Sequence, residues 1–203
     1  ALHKRLLGSQ DFVSYTLGGE GATALSCCAD FLTDEEEYVP AFYVERHLEQ
    51  GSATDYEHYL SCCASLGAAD AQRALDRMIV CDDIVANHDR HHRNFGLVRN
   101  VETGVCRSAP IFDSGSSLWC DIATSQLAAG EHSFSSKQFY KSPAKQLLLV
   151  EDMSWVNLQA LDGFVDEAME ILAKNEALTA RLPHIESALT WRVERMKNIV
   201  EWN

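Results

Sequence analysis

Asn87-His88-Asp89-Arg90-His91-His92-Arg93-Asn94 puts two carboxamides, one carboxylate, two guanidinium groups and three imidazoles into consecutive positions. Further on, the run Ala109-Pro110-Ile111-Phe112 ends in Asp113-Ser114-Gly115. A solvated surface loop has no need of this mixture, whereas a site handling metal-bound phosphate does. Phosphoryl transfer asks for a carboxylate that orients or deprotonates the attacking hydroxyl, and for oxygen ligands that hold Mg²⁺ on nucleotide phosphates. Asp89 supplies the first. Asn94, five positions on, and Asp113, closing an Asp-x-Gly, supply the second. Taken singly, Asp89 reads as a helix-end or turn acid, Asn94 as a turn residue and Asp113 as a cap before Gly115. Taken together, with a strand pair between them, they point to a phosphotransfer loop.

Working outward, residues 70–86 form a helix with the stripe Ala71, Leu75, Met78, Ile79, Ile84 and Val85, broken by Asp82-Asp83, and this helix delivers the chain into the loop. Phe95–Val98 and Val105–Phe112 read as two short strands joined through Asn100–Gly104. Upstream, Asp55–Leu66 reads as a helix with Tyr56, Tyr59, Leu60 and Cys63 on one face, closed by Gly67. Residues 3–7 read as the last turns of a helix ended by Gly8. Phe12–Leu17 and Ala24–Phe31 read as a hairpin around Gly18-Gly19-Glu20-Gly21. A Gly-rich hairpin can cover nucleotide phosphates, but it is normally followed by a strand lysine, and after Lys4 the next lysine is Lys137. A plain turn is the expectation there. Thr33–Glu37 reads as an acidic turn and Pro40 as an interruption, so a boundary falls between 31 and 40. Residues 114–143 read as an irregular, serine-rich stretch, with helices at 155–161, 162–174 and 183–202. The fold class expected is α+β and mainly helical.

Acidic residues outnumber Lys and Arg by 30 to 17, a net charge of −13, which argues against a sequence-independent grip on nucleic acid or anionic lipid. No apolar run reaches membrane-spanning length, and the N-terminus does not read as a signal peptide. The 7 cysteines include two adjacent pairs and no C-x-x-C, which suggests free thiols and a cytoplasmic location. The histidines suggest a second chemistry. His88-Asp89, with His91, His92 and an upstream His47 or His58, would suit an HD-type metal phosphohydrolase. A hairpin directly after the pair fits that all-helical architecture poorly.

Asn87–Gly96 followed by Ala109–Asp113 resembles the C-terminal lobe of HipA-like serine/threonine kinases, whose signature is N-x-D-x-H-x-x-N and then an apolar-Pro-apolar-aromatic-Asp run. The Asp-Arg-His-x-x-Asn core is also similar to that of phosphatidylinositol 3/4-kinase-like enzymes, so a lipid acceptor is an alternative. The resemblance spans residues 35–200, with specific motifs in 82–118. It implies Asp89 as catalytic base, His91 as an organiser of the loop or of transition-state charge, and Asn94 and Asp113 as the Mg²⁺ ligands that bind the ATP cofactor. Asn87 takes a structural role at the loop entrance. Arg90 and Arg93 either offset the site's charge or face solvent. The implied partner is a protein substrate, and an antitoxin-like protein, as of a toxin–antitoxin pair, or a DNA-binding protein is the partner of a non-catalytic alternative. Residues 1–33 are expected to be a remnant of the N-lobe and hinge, and 34–203 the helical C-lobe. With no lysine or Gly-rich loop placed for ATP, the chain as given is expected to be a weak or inactive kinase, or else a non-catalytic interaction module of the same fold. Ser114–Ser142 takes the place of an activation loop. Ser114, Ser116, Ser117, Ser133, Ser135 and Ser136 are there either autophosphorylation sites or part of a polar surface loop.

Overall fold

The computed structural model describes residues 1–18, 25–130 and 132–202. In chain order the elements are α1 (Leu2–Leu6), β1 (Tyr15–Gly18), β2 (Leu25–Cys28), β3 (Glu36–Pro40), α2 (Ala41–Val44), α3 (Asp55–Ser65), α4 (Ala71–Ile84), β4 (Gly96–Asn100) and β5 (Cys106–Ser108). Then follow α5 (Thr124–Ala128), α6 (Pro143–Leu147), α7 (Phe164–Leu172) and α8 (Leu182–Trp202), with 3-10 turns at Leu158–Leu161 and Glu176–Leu178. The chain is thus mixed α/β, with one sheet of two strands and one of three among the described residues.

The three-stranded sheet runs β3-β4-β5, antiparallel throughout. The sequence suggests only its β4–β5 hairpin, and Thr33–Glu37 is no simple turn. Glu36 opens β3, where Tyr38 and Val39 pair with Val98 and Leu97. The acids at the strand start sit beside cations: Glu36 on Arg107 at 3.0 Å, and Glu37 on Arg99. Pro40, whose missing N–H would break a longer ladder, ends the strand opposite Gly96. The two backbones approach so closely there that a Cβ on Gly96 would lie 2.2 Å from the Val39 carbonyl oxygen. Only glycine allows that approach, which brings α2 onto the loop: the Ala41 and Phe42 amides donate to the Phe95 and His92 carbonyls, each at 2.8 Å.

α3 starts from a capping box in which Thr54 and Glu57 satisfy each other's backbone amides. α4 is the hub of the core and packs against α3, α6, α8 and β5. Leu75, Met78, Ile79, Val80, Cys81 and Ile84 are buried along it, and so are Asp76, Asp82 and Asp83. The core joins these to Tyr59, Cys62 and Cys63 of α3, Leu97 of β4, and Leu189, Val193 and Met196 of α8. A smaller cluster gathers Trp119, Leu127, Ile185 and Ala188. Residues 114–143 are therefore less irregular than their composition suggests, being pinned by Trp119 and Leu127, which are each 1% exposed.

β1 and β2 form the expected hairpin, with Tyr15 opposite Cys28 and Gly18 opposite Leu25. The Gly19-Glu20-Gly21 part of its predicted turn lies outside the described residues. Phe12 bridges to Ile111, and Asp11 pairs with Arg77 of α4 at 2.7 Å. All seven cysteines are free, with Cys62, Cys63, Cys81 and Cys106 buried as small hydrophobes. Among the described residues no helix is long and apolar enough to cross a membrane.

Candidate active site

α4 ends in two buried carboxylates that face different parts of the chain. Asp83 accepts from Arg192 at 2.8 Å and Arg195 at 2.9 Å, both on α8. Asp82 turns to the loop. Its two oxygens accept from Arg90 Nε (2.8 Å), Arg90 Nη2 (3.0 Å), Asn87 Nδ2 (2.9 Å) and Gln138 Nε2 (3.0 Å). Arg90 is fully buried and also has every donor engaged. Besides Asp82 it donates to the Asn94 carbonyl (3.0 Å), the Phe112 carbonyl and Ser114 Oγ (3.0 Å). A guanidinium has five N–H donors and a carboxylate about four acceptor positions, so the pair is saturated. The Asp82–Arg90 pair thereby ties together both ends of the loop and the segment on either side of Asp113. Of the two roles open to Arg90 in the sequence, charge compensation is the one it has.

Asp89 lies on the outer side of this anchor. Its backbone amide donates to Asn87 Oδ1 at 3.1 Å, and its carbonyl accepts from Asn94 Nδ2 at 3.2 Å. The Lys137 ammonium, 2.5 Å from Asp89 Oδ1, holds the carboxyl below the usual carboxylate range. Lys137 is no chance visitor, because its neighbours fix it. Gln138 is buried on Asp82, and Phe139 packs against Tyr56, Tyr59 and Phe95. Nothing in the spacing of the sequence links Lys137 to Asp89, 48 residues upstream.

Asn94 is buried. With its amide nitrogen on the Asp89 carbonyl, its Oδ1 accepts no hydrogen bond among the described residues. Asp113 is exposed, and its carboxylate likewise takes no hydrogen-bond partner among them. A free amide oxygen and a free carboxylate are the hard donors that suit Mg²⁺, an ion that normally completes its shell with water and substrate phosphates. This donor set fits the metal that the resemblance implies.

The three loop histidines diverge. His92 sits on Glu45 through Nδ1 (2.8 Å) and on the Gln138 carbonyl through Nε2 (2.8 Å). Burial alone would lower its pKa, but Glu45 and that carbonyl raise it. His88 Nδ1 faces Asp121 at 3.6 Å. His91 holds the turn, its amide donating to the Asp89 carbonyl at 2.8 Å and its Nδ1 accepting from the Arg93 amide at 3.2 Å. Among the described residues no three His, Cys, Asp or Glu side chains are grouped to hold a metal. His47 and His58 are engaged elsewhere, His47 with Ser65 at 3.2 Å and His58 with the Glu45 carbonyl at 2.7 Å. The HD-type arrangement is therefore not assembled.

Backbone conformation marks the same region. Among the described residues, the non-glycine residues with positive φ are Ala86 (52°), Asp113 (49°), Leu118 (54°) and Trp119 (56°). They lie at the loop entrance, at the candidate metal ligand and just beyond it. Each costs about 1–3 kcal/mol, and such residues persist where surrounding contacts over-determine the chain. Here Leu118 N bonds to the Val85 carbonyl at 2.8 Å and His88 N to the Ser116 carbonyl at 3.1 Å. A separate cavity of about 500 Å³ lies between α4 and Ser108–Ile111, but it is lined by Asp70, Arg73, Arg77 and Arg107 and by none of Asp89, Asn94 or Asp113.

A helix that delivers a polar loop, a three-stranded antiparallel sheet entered from that loop, a hairpin returning to an Asp-x-Gly, and a helical body behind them define a kinase-like fold. The crystal structure of a Helicobacter pylori proinflammatory kinase, CtkA, shares it: the superposition has a TM-score of 0.67 and 15% sequence identity, covering 98% of this chain and 82% of that one. At this identity the likeness establishes the fold. No protein-family model matches the sequence, and no curated protein aligns with it.

Proposed function

We propose that the chain is the catalytic part of an ATP- and Mg²⁺-dependent kinase of the HipA-like type, transferring phosphate to a Ser or Thr hydroxyl of a protein. The observation that carries this reading is the Arg90 anchor, which gathers the Asp89–Asn94 loop and the Phe112–Ser114 segment on one guanidinium. Asn94 Oδ1 and the Asp113 carboxylate would hold Mg²⁺, which when bound neutralises charge on the nucleotide phosphates. Asp89, beside the Lys137 ammonium, orients the acceptor hydroxyl and takes its proton. His91 keeps Asp89 and Asn94 in one turn.

The test is transfer of labelled γ-phosphate to a protein acceptor. Asp89→Ala and Asp113→Ala are each expected to lower the rate by about 10²-fold or more. Undiminished transfer in either variant overturns the assignment. One observation favours a second reading, a non-catalytic interaction module. Lys137 sits on the carboxylate that a base must keep available. That reading predicts no transfer by the wild-type chain or by a Lys137→Met variant.

A further inference from the structure

Arg46 and Arg93 share one aromatic ring. The guanidinium carbon of Arg46 lies 3.8 Å from the centroid of Phe42, and that of Arg93 lies 5.0 Å from it. Tyr43, 56% exposed, flanks Arg46 with its ring centroid 5.7 Å away. Both arginines are exposed, and neither forms an ion pair among the described residues. Two other exposed arginines, Arg99 and Arg107, by contrast each hold a carboxylate. One ring brings the two like charges within a Debye length, about 10 Å at 0.1 M salt. That proximity costs energy until an anion joins them.

The pair is also fixed to the loop. Arg93 immediately precedes Asn94, and its carbonyl accepts from Tyr38 Oη at 3.1 Å. Phe42 is held by its amide on the His92 carbonyl at 2.8 Å. Stacking on a ring limits the rotamers of a long side chain, so less freedom is lost on binding. The fork of a guanidinium matches a carboxylate in bidentate fashion. Lys137, its side chain 52% exposed, adds a third cation at Asp89 itself.

We propose that Arg46 and Arg93, braced on Phe42, form the docking site for acidic side chains of the protein acceptor, so that the hydroxyl offered to Asp89 comes from a segment rich in Asp or Glu. The link to an acceptor hydroxyl rests on the kinase reading above, whereas recognition of the acidic segment does not.

The experiment is fluorescence anisotropy on the full chain without nucleotide, using a labelled serine peptide flanked by Asp and Glu and its Asn/Gln counterpart. The acidic peptide is expected to bind roughly tenfold tighter. The preference should shrink as salt is raised and disappear in the Arg46→Gln/Arg93→Gln double variant, whose thermal unfolding should match the wild type because both side chains are exposed. Equal binding of the two peptides, or a preference that survives in the double variant, overturns the proposal. Competitive displacement of the acidic peptide by Mg²⁺-ATP also overturns it, since the arginines would then belong to nucleotide phosphates. An arginine-dependent preference in a chain that neither binds Mg²⁺-ATP nor transfers phosphate upholds the docking site and removes the kinase reading.

Discussion

Asp82 and Arg90 saturate each other in the interior: Nε meets Oδ2 at 2.8 Å and Nη2 meets Oδ1 at 3.0 Å, with the two residues 2% and 0% exposed. Taking one partner from such a pair leaves an uncompensated buried charge. Asp82→Ala should therefore lower stability by about 3–5 kcal/mol in urea denaturation. The double variant Asp82→Leu/Arg90→Met removes the uncompensated charge but leaves the Asn87 and Gln138 amides and the Asn94 and Phe112 carbonyls without their partner, so it should recover only part of that loss. It should not recover phosphotransfer, because the carbonyls of Asn94 and Phe112 and the hydroxyl of Ser114 lose their common donor.

Gly96→Ala should cost about 1–3 kcal/mol or more by overpacking, because its Cβ would collide with backbone of β3 and α2 rather than with a mobile side chain. Gly115→Ala is the contrasting case. A Cβ there meets nothing within 4 Å, so the change should stay within about 0.5 kcal/mol. Urea midpoints of the two variants, compared at equal slope, check both.

Lys137→Met should raise the Asp89 pKa, since the lysine's hydrogen bond is the leading cause of its depression. The acid limb of the pH–rate profile would move to higher pH, and thermal stability would change little because the pair is exposed. An acid limb that stays in place would separate Lys137 from the base.

Two histidines give stability opposite pH dependences. Burial drives His3 from 6.5 to about 4, so the unfolded chain takes up its proton first. Stability contributed by neutral His3 is full above pH 6.5 and is lost as pH falls towards 4, by up to about 3 kcal/mol. His92, raised by Glu45 and the Gln138 carbonyl against the effect of burial, contributes fully below pH 6.5 and loses its contribution as pH rises through its folded value. Denaturation across pH should show a shallower acid decline in His3→Leu and a shallower decline above neutrality in His92→Gln.

Much of this was legible in the sequence. The strand pair after Asn94, the helix that delivers the loop and the Asp113 turn all follow from local pattern, because periodicity and turn residues report local structure directly. The fold adds β3, whose acidic start reads as a turn until Arg99 and Arg107 are seen beside it. Long-range partners were the blind spot. Asp82-Asp83 interrupts an apolar helix stripe, and that anomaly was the available signal for a buried charge pair. Its partners Arg90, Gln138, Arg192 and Arg195 lie 8 to 112 residues away, which no local period encodes. Lys137 gave no sequence signal at all.

The central claim is that Asn94 and Asp113 place a magnesium-bound nucleotide beside Asp89. Calorimetric titration of the chain with ATP tests it most directly, with and without Mg²⁺ and in the Asp113→Ala variant. The account predicts binding heat that requires Mg²⁺ and is lost in Asp113→Ala. ATP binding that is indifferent to both, or no binding by the wild-type chain in the presence of Mg²⁺, would contradict it.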